Sequence, residues 1–159
     1  MSLPSVASIG NLRYLLEGAQ TAVLQTKNLK LTDWSTPALR VAASEALRRL
    51  QDQVRWKPGK DTQHLAKRKA LGHLPAIASV ETYNALAHLL LTNPGMVYRY
   101  HFRGVDYFAA RGHIHDLEWL VIFDRSGLVE TAFPPDDMDR YLTERGFQYL
   151  ATRKELLLP

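Results

Sequence analysis

Two histidines one residue apart, His113 and His115, are the most distinctive pair of chemically active side chains in the sequence. On an extended segment both would face the same side, and Glu118 follows three residues after His115. Imidazole and carboxylate groups together bind zinc, iron or manganese, so a metal site is one interpretation. Asp116 and Leu117 favour a turn instead, which would scatter these side chains. The sequence leaves open a metal site, half of an acid–base pair, or two solvated histidines beside a hairpin loop.

Several other classes of catalysis lack their usual residues. The chain contains no cysteine, which removes thiol nucleophiles, disulfides and thiolate metal sites. Its serines stand in no Gly-x-Ser-x-Gly motif, and its nine glycines form no glycine-rich loop that opens a helix. Nucleotide-dependent chemistry is therefore disfavoured, and we expect no cofactor.

The sequence is well supplied with groups that cleave RNA without a metal ion. In that reaction a base removes the 2′-hydroxyl proton, an acid protonates the leaving 5′ oxygen, and cations hold the phosphoryl oxygens. Aromatic side chains add stacking for unpaired bases. Each candidate also has an ordinary structural interpretation. The candidates lie around the expected junction of helices and sheet: Lys67, Arg68, Lys69, His73, Tyr98, Arg99, Tyr100, His101, Arg103, Arg111, His113, His115 and Thr131.

Positive charge is concentrated in one segment. The whole chain has a net charge of +4, whereas residues 40–69 contain nine Lys and Arg against three acids. Such a segment favours a surface that faces a polyanion, although a solvated helix face would have the same composition. The candidate nucleic-acid-binding residues are Arg55, Lys57, Lys60, Arg68, Lys69, Tyr98 and Arg99.

Helices are predicted in the first part of the chain and strands in the second. Apolar spacing and capping residues predict helices over residues 9–26, from Thr36 to Lys57-Pro58-Gly59, from His64 to Gly72, and from Ser79 to Asn93. Residues 57–63 are predicted to form an exposed loop. After Asn93 the apolar residues recur at every second position, which predicts four strands in "MVYRYHF", "VDYFAAR", "EWLVIFD" and "LVETAFP". A helix over "PDDMDRYLTERG" and a short edge strand over "FQYLA" follow.

We expect one α+β domain over residues 1–159, with a helical part (1–56) and an α+β core (57–159). N-terminal helices would pack on a four-stranded antiparallel β-meander, followed by a C-terminal helix, with "WLVIF" central and buried on both faces. No apolar run is long enough to span a bilayer, and the first residues lack the charge pattern of a signal peptide. We expect a cytoplasmic protein with no membrane partner; a protein delivered by secretion or injection would have the same composition.

The order of these elements and two short motifs resemble the barnase–EndoU–colicin–RelE-like ribonucleases. These metal-independent enzymes occur as bacterial toxins and in phage-associated proteins. The motifs are "GHL" at 72–74, after a basic helix, and the hairpin "WLVIFDRSGLVETAF" at 119–133, within a resemblance over roughly residues 64–134. It implies that His73 is the catalytic histidine, Thr131 the active-site threonine, and Lys67 and Arg111 phosphate-binding cations.

The resemblance leaves the second acid–base residue open. Related toxins often carry another histidine shortly after the first, whereas residues 75–78 here are Pro-Ala-Ile-Ala. His101, His113 and His115 are the candidates, and His113 is included in the candidate catalytic set. The implied function is a toxin-type endoribonuclease that acts on RNA such as tRNA and has a protein inhibitor or immunity partner. Alternatives are an inactive relative, a non-catalytic module that binds nucleic acid or protein, and a small metalloprotein centred on His113 and His115.

Overall fold

The computed structural model describes residues 35–93 and 95–158, with side chains from residue 37 onward. The Cα positions divide the chain into two compact units, Met1–Leu39 and Arg40–Pro159. The fold described below is that of residues 35–93 and 95–158, nearly all of which belong to the second unit, and the helix expected over residues 9–26 lies outside the described residues. Within the described ranges, no helix is both long and apolar enough to cross a membrane.

The described part of the chain forms five helices and six strands in an α+β arrangement. The helices are α1 (Ser35–Asp52), α2 (Lys60–Ala70), α3 (Val80–Thr92), α4 (Met138–Arg145) and α5 (Arg153–Leu157). The strands are β1 (Arg55–Trp56), β2 (Met96–Phe102), β3 (Val105–Ile114), β4 (Leu117–Asp124), β5 (Leu128–Phe133) and β6 (Gln148–Thr152). The predicted α+β class is confirmed, but the expected four-stranded sheet is wrong, because β1 and β6 extend it to six.

The six strands lie in the order β1-β5-β4-β3-β2-β6. The four central strands are joined by tight hairpins and pair antiparallel, as the alternating pattern predicts. β6 adds antiparallel to β2, where the short edge strand was expected, and β1 adds parallel to β5 at the opposite edge. Residues Trp119–Phe123 of β4 are all buried, which confirms the prediction of a central strand covered on both faces.

The helices differ from the prediction in three places. α1 ends at Asp52 rather than at Lys57-Pro58-Gly59, because the chain turns there into β1. α2 begins at Lys60, inside the expected loop over residues 57–63, after Gly59 adopts a left-handed φ of 78°. α5 was not predicted; it begins with a capping box between Thr152 and Glu155. The helix start predicted at Ser79 is confirmed, since its side chain caps α3.

The two faces of the sheet are covered by different helices. α3 packs against the face that carries Phe108 and Phe123, with Leu90 close to Gly112 of β3. The opposite face, which we call the α4 face, packs Leu120 and Ile122 against Met138 and Leu142 of α4. Since apolar side chains are needed on both faces, β4 has an unbroken apolar run rather than an alternating one.

The outer edge of β5 is the part of the fold that positions the candidate site. β1 pairs only with Leu128 and Val129, so beyond them the outer edge of β5, opposite β4, has no strand partner among the described residues. α2 packs along this free edge instead. The Tyr83 hydroxyl donates to the Ala132 carbonyl and accepts from the Ala132 N–H, which satisfies both backbone groups. A register shift opposite Ile122 and Phe123 also leaves Glu130 as an extra residue in β5.

Candidate functional site

A group of polar side chains from α2 and its flanking loops gathers at the free edge of β5. Lys60, His64 and Arg68 follow one another at intervals of four residues, so they lie on one face of α2. Because the buried Leu65 anchors the helix to the core, this polar face borders β5. We call the group the edge cluster; its members are Lys57, Lys60, His64, Arg68, His73, Glu130 and Thr131.

Glu130 is held between two lysines. Lys57 Nζ lies 2.7 Å from Glu130 Oε1, and Lys60 Nζ lies 3.2 Å from Glu130 Oε2. Burial alone would raise the pKa of the Glu130 carboxyl, but hydrogen bonds from the two lysines hold it below its ordinary value. The carboxylate is therefore ionised at neutral pH and is a weak base.

His64 is half-buried in the same cluster. Its Nδ1 atom is enclosed and has no hydrogen-bond partner among the described residues. Burial lowers the pKa of His64, and the positive charges of Lys60 and Arg68 lower it further, while Glu130 acts in the opposite direction. The ring is therefore neutral at pH 7.

His73 is held by Arg68. Arg68 is only 4% exposed, and its Nη1 donates to His73 Nδ1 at 3.2 Å. Since arginine has no acceptor, Nδ1 of His73 must accept, and the proton of the neutral ring is on Nε2. Burial and the neighbouring Arg68 charge lower the pKa of His73. Its backbone N–H also donates to the Arg68 carbonyl at 2.8 Å, which closes the end of α2 after Gly72.

Two further residues of the predicted catalytic set, Thr131 and Lys67, also lie at the free edge of β5. Thr131 is half-buried on the free part of β5, next to the Tyr83 hydroxyl, and burial raises the pKa of Tyr83 to about 12. Lys67 is exposed on α2 and close enough to lower the pKa of His64. The structure therefore brings together four residues of the sequence prediction, His73, Thr131, Lys67 and Arg68, at one edge of the sheet.

Arg111 lies elsewhere, on the α4 face near the β3–β4 turn. Its guanidinium makes a bidentate pair with Glu118 at 3.0 Å, and a further 3.0 Å contact with Asp139. Burial would lower the pKa of Arg111, but hydrogen bonds with Tyr98 and Glu118 raise it overall. Two carboxylates thus already occupy the side chain that was expected to bind phosphate.

His113 is separated from His73 by the sheet. It is opposite Glu118 in the strand register, with Nδ1 3.9 Å from the carboxylate, and its side chain is 65% exposed. The His73 ring instead contacts the ring of Trp119, which points to the other face of β4. His113 and Arg111 line a separate cleft of about 340 Å³.

The histidine pair of the metal interpretation does not share one face. His113 belongs to β3, whereas His115 lies in the following turn with a left-handed φ of 55°. His101 Nδ1 donates to the Asp106 carboxylate at 2.9 Å. Over residues 35–93 and 95–158, no three His, Asp or Glu side chains form a group that could hold a metal ion.

The predicted nucleic-acid-binding residues divide into exposed and buried groups. Arg55 is exposed and Lys69 half-buried, while Lys57 and Lys60 belong to the edge cluster. Tyr98 is buried, and so is Arg99, which pairs with Asp106 at 3.3 Å and Gln148 at 3.1 Å. These last two are committed to contacts within the fold.

Sequence reasoning missed three members or neighbours of the edge cluster: His64, Glu130 and Tyr83. The four-residue interval between His64 and Arg68 in "QHLAKRK" was the one available signal, because it places both on one helix face. Any function for the cluster must be inferred from its own chemistry. No family model matches the chain, and no curated protein or solved structure matches it either.

Proposed function

We propose that the chain is a metal-independent endoribonuclease whose reaction centre is the edge cluster. The observation that carries the proposal is the pair of half-buried histidines, His64 and His73, flanking Arg68 with pKa values below the ordinary one. Both rings are neutral at pH 7, which is the form that a general base and a neutral hydrogen-bond donor require. Lysines and a threonine hydroxyl adjoin them.

The two histidines have different roles in this proposal. The enclosed Nδ1 atom of His64 has no hydrogen-bond partner among the described residues, so in this proposal the other ring nitrogen, Nε2, takes the proton from a ribose 2′-hydroxyl. The Nδ1 atom of His73 is committed to Arg68, so its Nε2–H donates to a phosphoryl oxygen. The 2′ oxygen attacks phosphorus, the bond to the 5′ oxygen breaks, and water supplies the proton to the leaving oxygen. The product ends in a 2′,3′-cyclic phosphate.

Lys67, which lies beside the edge cluster, and Thr131 stabilise the charge that develops on phosphorus. Lys67 is exposed and reaches solvent beside His64, so it is the phosphate contact that the geometry favours. Lys57 and Lys60 contribute two positive charges, which the carboxylates of Glu130 and Asp124 balance. Arg111, given the same role by the sequence resemblance, has no part in this version of the mechanism.

The substrate proposed is RNA, with tRNA as the first to test, and the cytoplasm is the proposed place of action. A toxin-type enzyme of this kind has a protein inhibitor or immunity partner, and we propose one here on the basis of the resemblance. Because burial and the neighbouring cations lower the pKa of the base, the cleavage rate should already be at its plateau at pH 7 and should fall only below the ordinary histidine value of about 6.5.

The decisive experiment incubates the full chain with total tRNA in EDTA. We expect fragments ending in 2′,3′-cyclic phosphate, and a loss of at least about 100-fold in rate for His64→Ala. His73→Ala should also lose activity, whereas His113→Ala should retain it. Intact RNA with the wild-type protein under all conditions would refute the proposal. Full activity of His64→Ala would remove that residue as the base, and inactivity of His113→Ala would return it to the role that the sequence predicted.

A non-catalytic RNA-binding module is the second candidate. The observation that favours it is the burial of Arg68 together with the pairing of Lys57 and Lys60 to Glu130. These contacts keep much of the cluster's charge within the protein. Binding of tRNA that weakens with salt, with no product at any pH, would identify this function instead.

A further inference from the structure

Three aromatic side chains form a continuous row on the α4 face of the sheet. Tyr107 of β3 is directly opposite Tyr100 of β2, and Phe102 lies two residues further along β2 on the same face. The ring centroids of Tyr107 and Tyr100 are 6.3 Å apart, and those of Tyr100 and Phe102 are 5.8 Å apart. We call these three residues the aromatic row.

The row is supported from within the fold yet open to solvent. Phe147 stacks on Tyr100 with centroids 4.2 Å apart and planes within 7°, which fixes the Tyr100 ring. Tyr100 and Tyr107 are half-buried, whereas Phe102 is 45% exposed. Phe102 therefore presents a large apolar ring to water at the outer end of a rigid stack.

Cations lie at both ends of the aromatic row. Lys57 of the edge cluster is at one end, with Nζ 5.0 Å from the Tyr107 ring centroid. Arg103 is at the other, with its guanidinium carbon 5.0 Å from the Phe102 centroid. Positive φ values at Arg103 and Gly104 form a tight β2–β3 turn that keeps Arg103 beside Phe102. The row thus runs from the edge cluster across β3 and β2 and ends at a second cation.

We propose that the aromatic row is a stacking subsite for the unpaired bases of a single RNA strand whose phosphate lies at the edge cluster. The inference rests on the proposed function and adds the form of the substrate to it. A row of aromatic rings with a cation at each end matches the two repeating parts of a single strand, the base faces and the phosphates. Duplex RNA would not fit, because its base faces are stacked inside the helix. Stacking is tolerant of base identity, so the subsite selects unpaired segments rather than a sequence.

The test is a binding measurement that does not depend on cleavage. A fluorescent 2′-O-methyl oligouridine lacks the 2′-hydroxyl nucleophile, so it reports binding whether or not the chain is an enzyme. The comparison ligand is an abasic oligonucleotide of the same length, which retains the phosphates. We expect Phe102→Ala to weaken binding of the oligouridine by roughly 5- to 100-fold, as for one lost base stack. Phe102→Trp should restore it.

Two controls separate stacking from loss of structure. Leu117→Ala removes an exposed apolar side chain at the other end of the β3–β4 hairpin and should leave binding unchanged. Phe102→Ala should leave binding of the abasic ligand unchanged, because only phosphate contacts remain there. Circular dichroism of the variant should match that of the wild type, since Phe102 is exposed and lies outside the core.

The outcomes distinguish this subsite from the reaction itself. Equal affinity of wild type and Phe102→Ala for the oligouridine, or equal affinity of the wild type for the abasic ligand, would overturn the stacking subsite even if tRNA is cleaved. Phe102-dependent binding without any cleavage would support the subsite and refute the endoribonuclease. Preference for duplex over single-stranded RNA would also overturn it.

Discussion

Replacement of Arg153 by methionine should stabilise the protein. Arg153 begins α5 and is 1% exposed, and its Nε and Nη1 atoms have no hydrogen-bond partner among the described residues. Its Nη2 donates to the Arg111 carbonyl at 3.0 Å. The guanidinium lies so close to Gly95 that a Cβ there would overlap it. The side chain is therefore a buried positive charge with a single neutral acceptor.

The size of the effect follows from the pKa. Burial lowers the pKa of Arg153 from 12.5 to about 10. At about 1.4 kcal/mol per pH unit, this corresponds to a penalty of about 3 kcal/mol for folding with the charge in place. Because the folded-state pKa is the lower one, the penalty is complete below pH 10 and disappears only as the pH rises towards 12.5. Loss of the hydrogen bond to Arg111 costs about 1 kcal/mol, so the net gain for Arg153→Met at pH 7 is about 2 kcal/mol.

Urea denaturation at pH 7 measures this directly. Arg153→Met should shift the midpoint to higher urea with an unchanged slope, which corresponds to a change in stability rather than in compactness. Arg153→Lys is the control, since it keeps a buried charge and should gain nothing. A loss of stability of 2 kcal/mol or more in Arg153→Met would refute the reasoning, because it would mean that the guanidinium makes compensating contacts.

Two further predictions concern buried hydrogen bonds. Tyr83→Phe should cost about 1–3 kcal/mol of unfolding free energy, because the N–H and carbonyl of Ala132 lose their partner at the free edge of β5; an unchanged urea midpoint would contradict this. Asp106→Asn should cost about 3 kcal/mol at pH 7, because Arg99 and His101 lose a charged acceptor. Burial would raise the pKa of Asp106, but the hydrogen bond from His101 and the charge of Arg99 lower it overall. The contribution of the Asp106 carboxylate to the free energy of unfolding is therefore present above pH 3.8 and is lost as the pH falls through the lower folded-state pKa. The wild-type and Asp106→Asn midpoints should therefore converge on acidification, and a constant difference down to pH 2 would contradict the assignment.

The central sheet was predictable because its signals are local. Alternating apolar residues mark β2 and β3, a continuous apolar run marks β4, and turn residues separate them. β1 could not be predicted in this way. Arg55 and Trp56 become a strand only by pairing with Leu128 and Val129, more than 70 residues away. A strand of two residues is too short to show an alternating apolar pattern in the sequence.

The candidate site was predictable only in part, for the same physical reason. Residue type and sequence motif pointed to His73 and Thr131, which lie at the same edge of the sheet. The sequence could not reveal that Glu118 and Asp139 would neutralise Arg111, since one belongs to the next strand and the other to α4. It also could not reveal that Arg99 is buried, because an outward-facing position in an alternating strand remains exposed only if nothing packs on that face.

The free edge of β5 gives α2 a second role, which is to protect the protein from association with other chains. An unpaired strand edge is a template for association with another chain, and proteins protect such edges by covering them or by adding charge. Here α2 covers the edge, Lys57 and Lys60 surround it with charge, and Tyr83 satisfies its backbone. The same helix that would hold a substrate phosphate therefore also protects the protein against self-association through this edge. Substitutions that remove polar side chains from α2 for functional studies also remove this protection. The solubility of the protein therefore limits how many of these side chains can be replaced.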